Sequence, residues 1–223
     1  MGAVLAMMTM VRLMAMAAMC AAAACGPLSK GTAAAQVGAL AKARVAGAPQ
    51  AAAAAGVSRA QAEAARGTTM RINIRDINRW ETLSRAARNG SRITWVNGRN
   101  ISVTTEGGVV TATRGLPRDL MGADVSGTAQ ALQNGGGNAV RTHEYLTNND
   151  GISMELLQCR IASKGPETIE SLQRTLNSVR FEEECAGENL RFTNIYWLNR
   201  NGDMIRSLQA VTPEVGYLQI DVF

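Results

Sequence analysis

The hydrophobic pattern changes twice along the chain. Apolar residues run unbroken from Leu13 to Met19; from Ser29 to Gly67 alanine dominates, with little larger to bury; from Thr69 onward apolar and polar residues alternate with the period of two that a half-buried strand requires. Met70–Ile74, Arg92–Val96 and Ile101–Thr105 are clear runs of this kind, and Asn97-Gly98 between the last two suits a tight hairpin because both residues tolerate positive φ. Further strands are predicted at Val109–Thr113, Arg141–Thr147, Ile152–Ala162, Glu167–Leu172, Val179–Cys185, Leu190–Leu198, Asp203–Gln209 and Tyr217–Val222. Turn signals at Asn148-Asn149-Asp150-Gly151, Lys164-Gly165-Pro166 and Asn199-Arg200-Asn201-Gly202 punctuate them. Short connections imply antiparallel pairing. Helix is expected over Asp76–Ala87 and near Ala129–Gln133, with a loop at Gly135-Gly136-Gly137. The fold class is mainly β: an antiparallel meander forming a curved sheet or partly open barrel, with one or two short helices.

The amino terminus has a different logic. Arg12, the apolar run after it and the small residues Ala21–Ala24 before Cys25 have the order of an export signal, and Leu13–Ala24 falls short of the roughly 20 residues that span a bilayer. A start at Met10 would set the charge at the very front, where such signals carry it. Ala22-Ala23-Ala24 resembles a lipobox, which makes Cys25 the expected acylation site. Cys20 is the rival, but Met19 is too bulky for the position before it. Ala22 stands where lipoboxes usually carry Leu, which leaves ordinary cleavage after Ala-x-Ala as the alternative. Gly26 after the cysteine, in place of Asp, points to the outer membrane. Acyl chains, at about 0.8 kcal/mol per buried methylene, would make the anchor effectively permanent. The chain thus divides into a signal peptide over 1–24, an Ala-rich tether over 25–68 and a single β-rich domain over 69–223. Within the tether, Ser58 is placed to cap a short helix running to Arg66.

Composition narrows the chemistry. Aromatic content is 4%, so Val, Ile and Leu must fill most of the core. The net charge of +5, reduced by one when Arg12 is removed, is spread over scattered arginines. That suits a solvated surface first, and an anionic partner such as acidic polysaccharide or lipid head groups second; an exported protein has little access to nucleic acid. Besides Cys20 and Cys25 the chain has only Cys159 and Cys185, and export favours joining them, a constraint on the order of 3–4 kcal/mol. His143 is the only histidine, so a zinc site is not expected, and Glu144 beside it points to the other face of a strand. Glu182-Glu183-Glu184 reads as a solvated, alternating run. Neither Gly107-Gly108 nor Gly135-Gly136-Gly137 is followed by the Lys-Ser/Thr of a phosphate loop. No catalytic constellation stands out, and the expectation is a protein without enzymatic activity, metal or cofactor.

The carboxyl-terminal third carries the most specific pattern. Asn194, Trp197, Gly202, Ser207, Gln209, Pro213 and Gly216 are spaced as in the YjbF/GfcB-like capsule polysaccharide lipoproteins, which the chain resembles. Thr111–Leu120, with Gly115, Leu116 and Asp119, is similar to a second segment of that family, and the Arg92–Val103 stretch with Trp95 to its early hairpin. The resemblance implies an outer-membrane lipoprotein, held by its N-terminal lipid with the domain facing the periplasm, that serves exopolysaccharide or capsule production and export without catalysis. Its implied partners are polysaccharide and other secretion proteins. Tyr196 with Gln209 and Arg206 would then line a sugar-binding groove, although Arg206 and Gln209 face opposite ways on a strand. The architectural reading of the same motif is that Trp197 and Tyr196 occupy opposite faces and that Pro213 and Gly216 shape a turn. Two other functional classes stay open: a periplasmic polysaccharide-modifying hydrolase, which requires two close carboxylates in a cleft, and a lipid-binding half-barrel, which requires a concave apolar face.

Overall fold

A computed structural model describes residues 58–223 apart from 148 and 150. Cys20, Cys25 and most of the tether lie outside the described residues. The chain opens with helix α1 (Arg59–Ala64), continues through β1 (Thr69–Ile74), β2 (Arg79–Asn89), β3 (Arg92–Val96), β4 (Ser102–Glu106), β5 (Val109–Arg114) and β6 (Leu120–Asp124), and reaches helix α2 (Ser126–Gln133). It ends with β7 (Gly136–Leu146), β8 (Ile152–Ser171), β9 (Arg174–Ala186), β10 (Arg191–Leu198), β11 (Met204–Ala210) and β12 (Tyr217–Val222).

Among the described residues these strands form one antiparallel sheet in the order β5-β4-β3-β2-β1-β12-β11-β10-β9-β8-β7-β6. The meander curls so that its first and last strands pair, Met70 opposite Val222 and Ile74 opposite Leu218. The break in the nearly closed barrel therefore falls between the consecutive strands β5 and β6. Side chains bridge it: Thr113 Oγ1 donates to Asp119 (3.0 Å) and accepts from the Leu120 amide, while Arg114 donates to the carbonyls of Leu120 (3.1 Å) and Met121 (3.2 Å). Asp119 also accepts from the amides of Gly115 and Leu116. Gly115 has φ +81°, and a Cβ there would fall 2.4 Å from the Asn100 carbonyl oxygen.

The alternating runs formed the strands they predict, and Tyr217–Val222 coincides with β12. Four local expectations are corrected. Asp76–Ala87 is not a helix: a 3-10 turn over Arg75–Ile77 ends at Asn78 in the left-handed conformation (φ 47°), and β2 pairs with both β1 and β3. A β-strand burying Glu81 and Leu83 on one face gains two ladders, which outweighs the helical preference of the Ala and Arg residues. The Lys164-Gly165-Pro166 turn is instead a bulge inside the continuous β8, a place where a residue without an amide hydrogen is tolerated. Gly136 and Gly137 belong to β7, not to a loop. At the β3–β4 connection Asn97 accepts from the amides of Arg99 and Ile101, and the left-handed residue is Asn100 (φ 60°), not Asn97 or Gly98.

The apolar part of the interior is built from alternate residues of β1, β3, β4 and β12, among them Met70, Ile72, Trp95, Val103, Leu218 and Ile220. Outside the barrel, the tip of the β8–β9 hairpin reaches across to the terminal strands. There Ser171 donates to Asp221 (3.0 Å), which also pairs with Arg206 (2.5 Å) and accepts from Gln219. Leu172 packs on Phe223 and on Ala62 of α1. The helix capped by Ser58 is thus present and docked, although it falls in the stretch read as tether: the Ser58 hydroxyl accepts from the Gln61 amide and the Gln61 side chain returns the bond.

Cys159 and Cys185 face each other across β8 and β9, with Cα atoms 4.1 Å apart, and are joined in a disulfide. The bridge closes 26 positions of chain. Replacing both residues with Ala should lower the unfolding free energy by about 3 kcal/mol in urea titrations. An unchanged midpoint would mean that the bridge does not constrain the unfolded chain.

Candidate functional site

Alternation places Arg141, His143 and Tyr145 of β7, Phe181, Glu183 and Cys185 of β9, Phe192, Asn194 and Tyr196 of β10, and Ser207 and Gln209 of β11 on the barrel's inner face. Their polar groups meet in a sealed network. Glu183, 0% exposed, accepts from Arg141 (2.7 Å), Tyr196 (2.6 Å), Asn194 (2.7 Å) and, from α2, Thr128 (2.5 Å). Every group that reaches Glu183 donates, so its two oxygens act only as acceptors.

The charge state of the neighbours follows from this geometry. Burial is the largest single influence on Arg141 and opposes its charge, but Glu183 and Tyr196 together outweigh it and hold the guanidinium above its ordinary pKa. The same burial and the same carboxylate push the Tyr196 hydroxyl well above 10. Arg141 Nη2 stands 3.0 Å from His143 Nε2 and can only donate, so Nε2 accepts and the ring proton sits on Nδ1, directed at the Tyr145 hydroxyl (2.8 Å). Burial, and secondarily Arg141, hold the His143 pKa well below 6.5. Phe192 stacks on the imidazole at 5.5 Å. His143 is therefore a neutral relay between Arg141 and Tyr145, in keeping with its reading as a sheet-lining residue.

The motif residues are architectural. Asn194 gives its amide hydrogens to Glu183 and Tyr196, and its oxygen accepts from the Ala210 amide (2.8 Å), replacing a ladder bond where β10 and β11 part beyond Ile195–Leu208. Gln209 ties β11 to the β4–β5 turn: its oxygen accepts from the Val110 amide and its nitrogen donates to Ser207 and to the Gly108 carbonyl. Trp197 is buried on the outer face, so both it and Tyr196 are enclosed, on opposite sides of β10. Pro213 and Gly216 lie in the β11–β12 connection, where Gly216 has φ +69° and a Cβ would meet the Asp76 carboxylate at 2.7 Å. Asp119 locks the β5–β6 seam. A sugar groove lined by Tyr196, Gln209 and Arg206 does not exist: the first two are 0% and 1% exposed, and Arg206 pairs with Asp221 on the outside.

Glu183 is the residue that sequence reasoning misplaced. The Glu182–Glu184 run does alternate, but its central member points inward, and its position two residues from the buried Cys185 is the signal that could have shown this. Glu183 also lies within 4.8 Å of both bridged sulfurs; because these are bonded to each other, they offer no thiolate to a metal.

At one end the barrel is open. A cavity of about 770 Å3 is walled by Met70, Ile93, Trp95, Leu198, Ile220 and Val222, with Ala129, Leu132 and Gln133 of α2 on one side. Helix α2 thus separates the cavity from the polar network, to which it contributes Thr128. Arg66, Arg85, Arg88 and Arg174 stand among the lining residues, and Asp203 is the one acidic side chain there, accepting from Asn199 (3.0 Å).

Residues 37–223 match the family described as group 4 capsule polysaccharide lipoprotein GfcB, YjbF. Among solved structures, the hypothetical lipoprotein YmcC from Escherichia coli K12 has a similar fold: TM-score 0.61 at 17% identity, over 69% of this chain and 82% of that one. No protein of curated function matches the chain.

The neutral imidazole makes stability pH-dependent. Below the unfolded-state pKa of about 6.5 the unfolded chain takes up a proton that folded His143 refuses, so stability falls with pH from there down to the folded pKa. Urea titrations at about pH 7.5 and about pH 5.5 should show the native protein losing about 1.4 kcal/mol more than a His143→Gln variant. Equal losses in the two proteins would contradict a neutral, buried His143.

Proposed function

The chain belongs to the YjbF family of group 4 capsule polysaccharide lipoproteins, and from that premise we propose that it is a lipid-anchored, non-enzymatic accessory factor in capsule or exopolysaccharide production and export. The family match, which runs through the whole described fold, carries this reading. In it, Cys25 bears the acyl anchor, Gly26 directs the protein to the outer membrane, and the barrel faces the periplasm, where it meets polysaccharide or other secretion proteins. The interior supports a role without catalysis. Its ionisable cluster is closed to solvent, and the open cavity has Asp203 as its one acidic side chain, whereas glycoside hydrolysis uses two Asp or Glu side chains across a reaction site.

Deletion in a producing strain should reduce surface polysaccharide. The wild-type gene should restore it and incorporate labelled palmitate, whereas Cys25→Ser should do neither. Undiminished polysaccharide in the deletion strain would contradict the proposed role; full rescue by Cys25→Ser would remove the anchor from it.

A further inference from the structure

The open end of the barrel combines two features that a merely unfilled space does not need. One stretch of its wall, Met70, Ile93, Trp95, Leu198, Ile220 and Val222, is apolar beside polar residues such as Gln133 and Asn177, and its rim is cationic. Directly paired residues on neighbouring strands share a face, so the Arg85–Trp95 and Arg88–Ile93 pairs put both arginines on the inner side, next to the apolar wall. Three positions apart on a regular strand, Arg85 and Arg88 would face opposite ways; the bulge at Ala86 brings them together. Arg66 and Arg174 flank the same opening but share Glu63 (2.6 and 3.4 Å). Among the described residues, Arg85 and Arg88 have no carboxylate partner, and Arg88 bonds only the Gly90 carbonyl, through Nε. A volume of about 770 Å3 is within the range of small-molecule sites.

We propose that the barrel mouth binds an anionic amphiphile, its hydrocarbon chain lying along Met70, Ile93, Trp95 and Val222 and its phosphate or carboxylate held by Arg85 and Arg88. The apolar wall removes the chain from water, and the guanidinium forks suit an oxyanion head. A free sugar would leave that wall unused. The site is independent of the polysaccharide reading and would stand if that reading failed.

Trp95 gives a direct test because it is the only tryptophan among the lining residues; Trp80 packs under Arg71, and Trp197 lies on the outer face. The probe is dodecyl phosphate carrying a terminal bromine, titrated into the full chain with Cys25→Ser, which has no acyl group at that position, and into the acylated wild-type chain in uncharged detergent. Both should show saturable quenching of tryptophan emission, lost in Trp95→Phe and competed by unbrominated dodecyl phosphate but not by inorganic phosphate. Arg85→Gln with Arg88→Gln, at exposed positions that leave the circular dichroism unchanged, should weaken binding at least tenfold. Ala129→Phe, which fills the cavity from α2 without adding a second tryptophan, should abolish it. Absence of saturable quenching, equal affinity of the double Arg variant, or competition by inorganic phosphate would each overturn the proposal. Binding only to the Cys25→Ser chain would overturn it too, since the protein's own acyl group would then be the occupant.

Discussion

The fold is organised around an ion pair that water cannot reach. Arg141 and Glu183 are 1% and 0% exposed, and removing such charges from water costs several kcal/mol per ion, which their attraction offsets only with the help of further hydrogen bonds; of Arg141's nitrogens, Nε alone is left without one. That requirement reaches into every neighbouring element. β10 must supply Asn194 and Tyr196, α2 must turn Thr128 inward, and β7 must present His143 as a neutral acceptor for the second arm of Arg141. Three separate parts of the chain, β7, β10 and α2, are thereby fixed in register around one carboxylate of β9.

Closure of the barrel follows from the same economy of polar groups. Where the strand ladder runs between β1 and β12, backbone bonds suffice. Where it fails, side chains take over: Asn194 between β10 and β11, Gln209 from β11 across to the β4–β5 turn, and Thr113, Arg114 and Asp119 at the β5–β6 seam. The family's motif positions coincide with these places, which explains why the motif reads as chemistry in the sequence yet builds walls in the fold. The interior is left with two regions of opposite character, a sealed polar centre and an open apolar mouth, with α2 between them.

Much of this was legible from alternation alone. Period-two patterns located most of the strands, and parity placed Tyr196 opposite Trp197 and Gln209 opposite Arg206. Parity cannot say which face is the inside, however; a run of three glutamates suggests solvent, and it is Cys185, pointing inward two residues on, that marks the face of Glu183 as the inner one. The Asp76–Ala87 segment looked helical because nothing local reveals that β1 and β3 lie on either side of it. The bulge at Ala86, which decides where Arg85 and Arg88 point, leaves no mark in the sequence. The barrel's closure, the docking of α1 and the cavity are properties of distant strands meeting, and only the folded chain displays them.

If the Arg141–Glu183 pair holds the barrel together, breaking it from either side leaves a buried charge without its partner, while removing both does not. A double-mutant cycle with Arg141→Met and Glu183→Gln, read by urea unfolding, measures this directly. Each single variant should lose about 3–5 kcal/mol, and the double variant far less than their sum. Losses that add to within about 0.5 kcal/mol would show that the two residues stabilise the protein independently and would contradict the account.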